Sequence, residues 1–201
     1  MAQTTMLDGR VLRGTRNREA IIDALVDLYR AGVLRPTAQQ VAEQARVAPR
    51  SVYHHFADME ALITEVSARQ VRDYGRLMHP PPVGGDLDHR VETVVRQRSE
   101  LFEAVSPVRR AALLEAHRSP TVRRNLSTLA ARLRAQLEVV CAPELARRTP
   151  AARADLLDAI DLLTSWEAWE RLRTQQRLGV RRARRALTAA LLTLLTDREG
   201  R

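Results

Sequence analysis

The sequence has no lysine: all 33 of its basic side chains are arginine, set against 24 acidic ones for a net charge of +9. It has one cysteine, Cys141, which excludes a disulfide or a multi-thiolate metal site within a single chain and leaves a small buried side chain as the expected role. Aromatic residues make up only 3% and glycines number 8, while Ala, Leu and Arg dominate, so the composition favours helices over strands and predicts an all-α fold. No apolar run approaches the roughly 18 to 20 residues needed to cross a bilayer. Residues Met1 to Thr15 lack a hydrophobic signal core, which predicts a cytoplasmic protein without a membrane partner. Paired carboxylates in a catalytic context, a Gly-rich phosphate loop and a nucleophile motif are also missing. The expectation is a non-enzyme that needs no cofactor.

What the chain does have is positive charge, and a strongly basic balance favours an anionic partner, nucleic acid first. Its distribution does not locate the partner's site. Residues 1 to 60 carry 8 Arg against 7 acids, whereas residues 107 to 134 carry 7 Arg against 1 acid and residues 171 to 185 carry 7 Arg and none. The later excess fits an anionic effector, a second DNA contact or a solvated basic surface.

Apolar spacing supplies the elements. Ile21, Ile22, Leu25, Leu28 and Tyr29 recur at three- and four-residue intervals and predict a helix from about Thr15 to Ala31, with Gly32 ending it. Thr37 with Gln40 three residues later forms a capping box for a second, short helix that buries Ala38, Val41, Ala42 and Ala45. After a break over Arg46 to Pro49, Pro49 suits a first helical position and Val52 and Phe56 share one face of a third helix. Two short helices joined tightly make a helix-turn-helix. Asp58 caps a fourth helix running toward Met78, and "HPPPVGGD", His79 to Asp86, is the strongest breaker cluster. Long helices are expected beyond it, at about Leu87 to Val105, Val108 to His117, Thr121 to Val140, Ala151 to Gln176 and Arg181 to Leu195, about nine helices in all.

The third helix is too polar for a core segment. With Val52 and Phe56 inward, Arg50, Ser51, Tyr53, His54 and His55 occupy the outer surface. Arg reads guanine or pairs with phosphate, Ser and His meet base edges and Tyr donates to phosphate, which is the inventory of a recognition helix in the major groove. The start of the second helix offers free N–H groups to a phosphate. His54 and His55 are adjacent and point about 100° apart on a helix, so they do not pair as metal ligands and no metal site is expected.

The segments "REAIIDALVDLY", "PTAQQVAEQARVAPRSVYHHF" and "ADMEAL", spanning Asn17 to Leu62 with their neighbours, closely resemble the DNA-binding domain of the tetracycline-repressor (TetR) family of bacterial transcription regulators. The resemblance implies a helix-turn-helix DNA-binding domain over 1–60, a connecting fourth helix at about 58–78, and a ligand-binding and dimerisation domain over 61–201. It implies that Thr37, Tyr53 and His55 anchor phosphates, that Gln39 reaches a base from the second helix, and that Pro49, Arg50, Ser51 and His54 hold readout positions. Arg10, Arg13, Arg16 and Arg18 could add contacts from the N-terminal arm. Three residues depart from the family pattern: Arg46 stands where Gly is usual, so that either the turn is reshaped or Arg46 recovers the cost by contacting phosphate, Ala48 replaces a Ser or Thr cap, and Met59 replaces a frequent Lys.

For the remainder the resemblance implies a homodimer that places two recognition helices on a near-palindromic double-stranded operator, and a pocket for a small-molecule effector. Leu156, Ile160 and Leu163, with Leu187, Leu191 and Leu194 of the last helix, are the expected interface residues. Arg98, Phe102, His117, Trp166 and Trp169, each unusual on its helix, are the expected pocket lining. The expected function is a ligand-controlled repressor. The near-neutral first 60 residues, Arg46 and Met59 motivate one alternative, a helical ligand-binding or interaction module that has lost DNA binding.

Overall fold

The computed structural model describes the backbone of residues 2–81 and 84–196, and side chains from Leu12 onward within those limits. These residues form ten α-helices and no strand: α1 Ala2–Arg30, α2 Ala38–Ala45, α3 Pro49–His55, α4 Met59–Tyr74, α5 Leu87–Glu115, α6 Pro120–Val140, α7 Ala142–Leu145, α8 Pro150–Leu163, α9 Trp166–Glu170 and α10 Val180–Thr196. A 3-10 turn, Gly75–Met78, extends α4, and a π-helical turn, Arg171–Gln175, extends α9. None of the described helices is long and apolar enough to cross a membrane.

The segmentation differs from the sequence expectation at three places. Helix α1 begins at Ala2 rather than near Thr15. Helix α5 runs through Pro107, where a break was expected; proline removes one N–H but leaves the other rungs of a 29-residue helix in place. The expected helix over Ala151 to Gln176 is instead interrupted after Leu163, because Ser165 takes an extended backbone and its hydroxyl accepts from the Ala168 N–H to start α9 afresh. The breaker cluster from His79 to Asp86 does separate α4 and its 3-10 turn from α5, although its Pro82 and Val83 lie outside the described residues.

The chain forms two compact units, Met1–Arg72 with Pro107–Asn125, and Asp73–Ser106 with Leu126–Arg201. The first unit thus takes in the end of α5 and the start of α6 besides the N-terminal helices. Its core is the apolar face of α1 (Ile21, Ile22, Leu25, Tyr29) packed with Val41 and Ala42 of α2, Val52 of α3, and Leu62 and Val66 of α4. Ser119, which caps α6 by accepting from the Val122 N–H, also donates to Glu60 of α4 at 2.6 Å, and Arg35 pairs with Glu115 at 3.6 Å.

The second unit is organised around two buried guanidinium groups of α5. Arg90 forms a two-pronged pair with Glu144 at 2.6 and 3.0 Å, both side chains only 8% exposed, and also donates to the Val140 carbonyl. Arg98, 3% exposed, donates to the Thr164 carbonyl and hydroxyl at 2.8 and 2.7 Å, to the Gln136 side chain at 3.3 Å and to the Leu133 carbonyl. These acceptors are neutral, and burial lowers its pKa to about 10 against the opposing pull of Asp161. Arg98 therefore keeps its charge near neutrality and ties α5, α6 and the end of α8 together. Cys141 is buried, and burial first and Glu144 second push its thiol up to about 11.

Helix α10 packs against α8, and that contact accounts for much of the expected interface stripe. Ile160 and Leu191 are almost completely enclosed by their own chain, Leu156 and Leu187 nearly so, while Leu163 and Leu194 stay partly exposed. Leu162 is 70% exposed.

Removing one member of the Arg90–Glu144 pair would strand the other charge in the core. Arg90→Met is expected to destabilise the chain by about 3 kcal/mol in urea unfolding, and adding Glu144→Met should restore most of that loss.

Candidate nucleic-acid interface

Helix α2 starts with the capping box expected from Thr37 and Gln40. The Thr37 hydroxyl accepts from the Gln40 N–H at 3.2 Å, and the Gln40 side chain accepts from the Thr37 N–H at 2.9 Å. The N–H groups of Ala38 and Gln39 precede the first intrahelical donor, Val41, and point out of the helix start as phosphate ligands can use them. Part of Thr37's hydrogen-bonding capacity is therefore already committed to the cap. Gln39 is exposed, and its side-chain amide donates to Glu43 at 3.0 Å, a bond it must share or release to read adenine.

The turn is a Schellman closure. Arg46 has φ 55° and ψ 41°, its N–H donates to the Glu43 carbonyl at 3.1 Å, and the Val47 N–H donates to the Ala42 carbonyl at 3.0 Å. Arg46 thus occupies the left-handed position that glycine fills most easily, at a cost of roughly 1 kcal/mol. Its side chain is exposed. Ala48 gives α3 no side-chain cap, and Pro49 at the first helical position lessens the need because it has no N–H to satisfy.

Helix α3 divides as its spacing predicts. Val52 and Phe56 are 2% and 5% exposed, whereas Tyr53 is 61% exposed; Pro49, Arg50 and His54 are also exposed and Ser51 and His55 half-buried. The helix is fixed from behind by Arg18 of α1, whose guanidinium lies 5.2 Å from the centre of the Phe56 ring and pairs with Glu65 of α4 at 2.8 Å. The hydrogen bond from Arg18 holds the Glu65 carboxyl below its ordinary range. Arg18, suggested by the sequence as an arm residue, is thereby a partly exposed clamp between α1, Phe56 and α4. Arg13 and Arg16 are exposed on the same helix, and the side chain of Arg10 lies outside those described.

His54 and His55 pack edge to face with ring centres 5.1 Å apart. Burial, then His54, then Arg18 lower the His55 pKa from 6.5, so its neutral form is favoured in the folded chain. The clamp and this shift were not legible in the sequence, because both depend on α1 and α3 meeting across some 35 residues of chain.

The expected effector residues fall in both units. Arg98, Phe102, Trp166 and Trp169 are buried in the second unit, with the Trp166 indole donating to Ser106 at 2.8 Å and Trp169 to Glu103 at 2.9 Å. His117 is exposed in the turn after α5 and belongs to the first unit.

A capped second helix, a tight turn and a third helix with an apolar back and a hydrogen-bonding front define a helix-turn-helix. Residues 21–66 match the model of bacterial regulatory proteins of the tetR family. Among solved structures, a transcriptional regulator from Rhodococcus sp. Rha1 superposes with a TM-score of 0.69 at 18% identity, over 89% of this chain and 95% of its own. A tetR-family transcriptional regulator from Streptomyces coelicolor gives a TM-score of 0.69 at 16% identity, over 89% and 79%. The multidrug binding protein EbrR, complexed with imidazole, gives 0.53 at 21% identity, over 91% and 96%. No curated protein matches the chain. Residues 21–66 thus match a TetR-family regulatory domain, and the chain shares its fold with these solved transcriptional regulators.

Two outcomes follow from the geometry. Arg46→Gly relieves the left-handed strain and should raise unfolding stability by roughly 1 kcal/mol, or somewhat less after the added freedom of glycine in the unfolded chain. A histidine whose folded pKa is depressed takes up its proton more readily when unfolded, so stability should fall as pH drops through the range just below 6.5. In urea titrations His55→Gln should flatten that part of the pH profile.

Proposed function

We propose that the chain is a homodimeric, sequence-specific DNA-binding transcription regulator, a repressor whose affinity for a near-palindromic operator is controlled by a small-molecule effector held in the second unit. The observation that carries this reading is the two-sided character of α3: Val52 and Phe56 buried, with Arg50, Tyr53 and His54 exposed beside the half-buried Ser51 and His55. Arg50 bonds guanine O6 and N7, Ser51 and His54 meet neighbouring base edges, and Tyr53 and His55 hold phosphates. The free N–H groups at the start of α2 take a further phosphate, Arg46 another, and Gln39 reaches adenine on leaving Glu43.

Two such modules must lie about 34 to 36 Å apart to enter successive major grooves, which a two-fold dimer provides. The interface uses what the chain leaves uncovered on α8 and α10: Leu162, Leu163, Ala189 and Leu194. Leu156, Ile160, Leu187 and Leu191 support that surface from beneath. Control by an effector is supported by the likeness to EbrR, a multidrug binding protein, and by the buried polar groups Arg98 and Gln136 among the apolar side chains of the second unit.

Footprinting the purified chain on DNA tiled across its own upstream region, at two salt concentrations, tests the reading. A protected near-palindrome whose affinity falls steeply with salt is expected. Arg50→Ala should cost ~1 to 3 kcal/mol on the operator and relax discrimination at one base position, with random DNA little affected. Equal affinity for every duplex, operator and random alike, would leave a helical module without DNA readout.

A further inference from the structure

Within the first unit a cavity of about 190 Å³ opens between the end of α1, the α1–α2 connection, the first turn of α4 and the α5–α6 turn. None of the exposed side chains of α3 lines it. Pro36, Ile63 and Val122 form a buried apolar wall together with the half-buried Leu34 and Met59. Exposed Arg35, Glu60 and Arg118 ring it.

Two groups in this lining are unlike an ordinary packing defect. Tyr29 is 3% exposed, yet its hydroxyl makes no hydrogen bond among the described residues. The hydroxyl is not itself sealed from solvent: it opens onto the cavity and can donate to whatever occupies it. Beside it stands Glu115, whose carboxylate has only a long 3.6 Å pairing with the exposed Arg35. Burial, with Glu115 second, raises the Tyr29 pKa, so the phenol remains a proton donor. Glu60, by contrast, is already engaged by Ser119 at 2.6 Å.

The cavity thus presents one unused donor and one under-used acceptor at the edge of an apolar wall. A group that accepts from Tyr29 and donates to Glu115 answers both, and a hydroxyl on an unsaturated or aromatic ring is the smallest that does so while leaving the rest of its surface apolar. Size agrees: an apolar cavity of ~150 Å³ holds benzene, and the present volume leaves room for one substituent.

We propose that this cavity is a binding site for a small monocyclic alcohol of the phenol type, its hydroxyl bridging Tyr29 and Glu115 and its ring lying against Pro36, Ile63 and Val122. The bound molecule touches the residue preceding the Thr37 cap of α2 and the first turn of α4, so it braces the base of the helix-turn-helix. Binding at this site does not depend on the chain's being a ligand-controlled repressor.

Phenol titrated into the full chain by calorimetry, with toluene as the partner lacking a hydroxyl, tests the site. Saturable binding of one phenol per chain is expected, weakened about fivefold to tenfold by Tyr29→Phe, which loses one hydrogen bond. Toluene should bind more weakly than phenol and respond little to Tyr29→Phe. Val122→Phe, which fills the space, should abolish phenol binding. Intermolecular NOEs from phenol to the Tyr29 ring and the Ile63 methyls of the wild-type chain decide the location even if the Val122 variant fails to fold. No saturable binding, equal affinity in Tyr29→Phe, or NOEs confined to other residues would overturn the proposal.

Discussion

A helix of seven residues closes too few backbone hydrogen bonds to persist by itself, and α3 is such a helix. Its existence depends on Val52 and Phe56 being buried where α3 packs on α1 and α2, and on Arg18, which lies over Phe56 while its charge is met by Glu65. The presentation of the exposed polar side chains of α3 follows from that anchoring. Because the back of α3 is fixed, Arg50, Tyr53 and His54 are presented on a rigid element rather than on a loop, and little ordering entropy is left to oppose a contact with DNA. The same anchoring explains why a strained residue is tolerated at Arg46: burial on both sides of the turn exceeds the roughly 1 kcal/mol cost of its left-handed backbone.

The second unit solves a different problem with the same residue type. Its helices are interrupted, at Thr164 and Ser165 and again at the π-helical turn, and each interruption leaves carbonyls without intrahelical donors. Arginine supplies several donors in a fixed planar fork, whereas lysine offers a compact ammonium on a flexible stem. Arg98 spends its fork on the Thr164 and Leu133 carbonyls, Arg90 on the Val140 carbonyl and Glu144, and Arg173 on Glu103 and the Leu178 carbonyl. Part of the arginine excess is therefore structural. The total charge consequently overstates how much of the chain is available to an anionic partner.

Much of the N-terminal module was legible because its signals are local. The capping box of Thr37 and Gln40, Pro49 at a first helical position and the four-residue spacing of Val52 and Phe56 each act within one or two turns of chain, and each stands where its spacing placed it. The second unit was less legible. A Trp or Arg at helical spacing looks the same whether it lines a cavity or fills a core, and Arg98, Phe102, Trp166 and Trp169 are enclosed by helices distant in sequence, while His117 belongs to the other unit. The broad stripe of α8 has the same ambiguity: α10 of the same chain packs against α8, and Ile160 and Leu191 are buried within the chain, while Leu162 and Leu163 stay partly or largely exposed.

By itself the sequence determined the all-helical class, the helix-turn-helix and the face of α3 that carries polar groups, since helix period, caps and turn chemistry are set by residues a few positions apart. Only the tertiary structure decided that Arg18 is a clamp, that Arg90 and Arg98 are internal donors, that the end of α5 and the start of α6 pack with the N-terminal helices, and that the Tyr29 hydroxyl opens onto a cavity without a protein partner. Those outcomes depend on which distant groups come within hydrogen-bonding reach and which are removed from water, and neither quantity is encoded in the spacing along one chain segment.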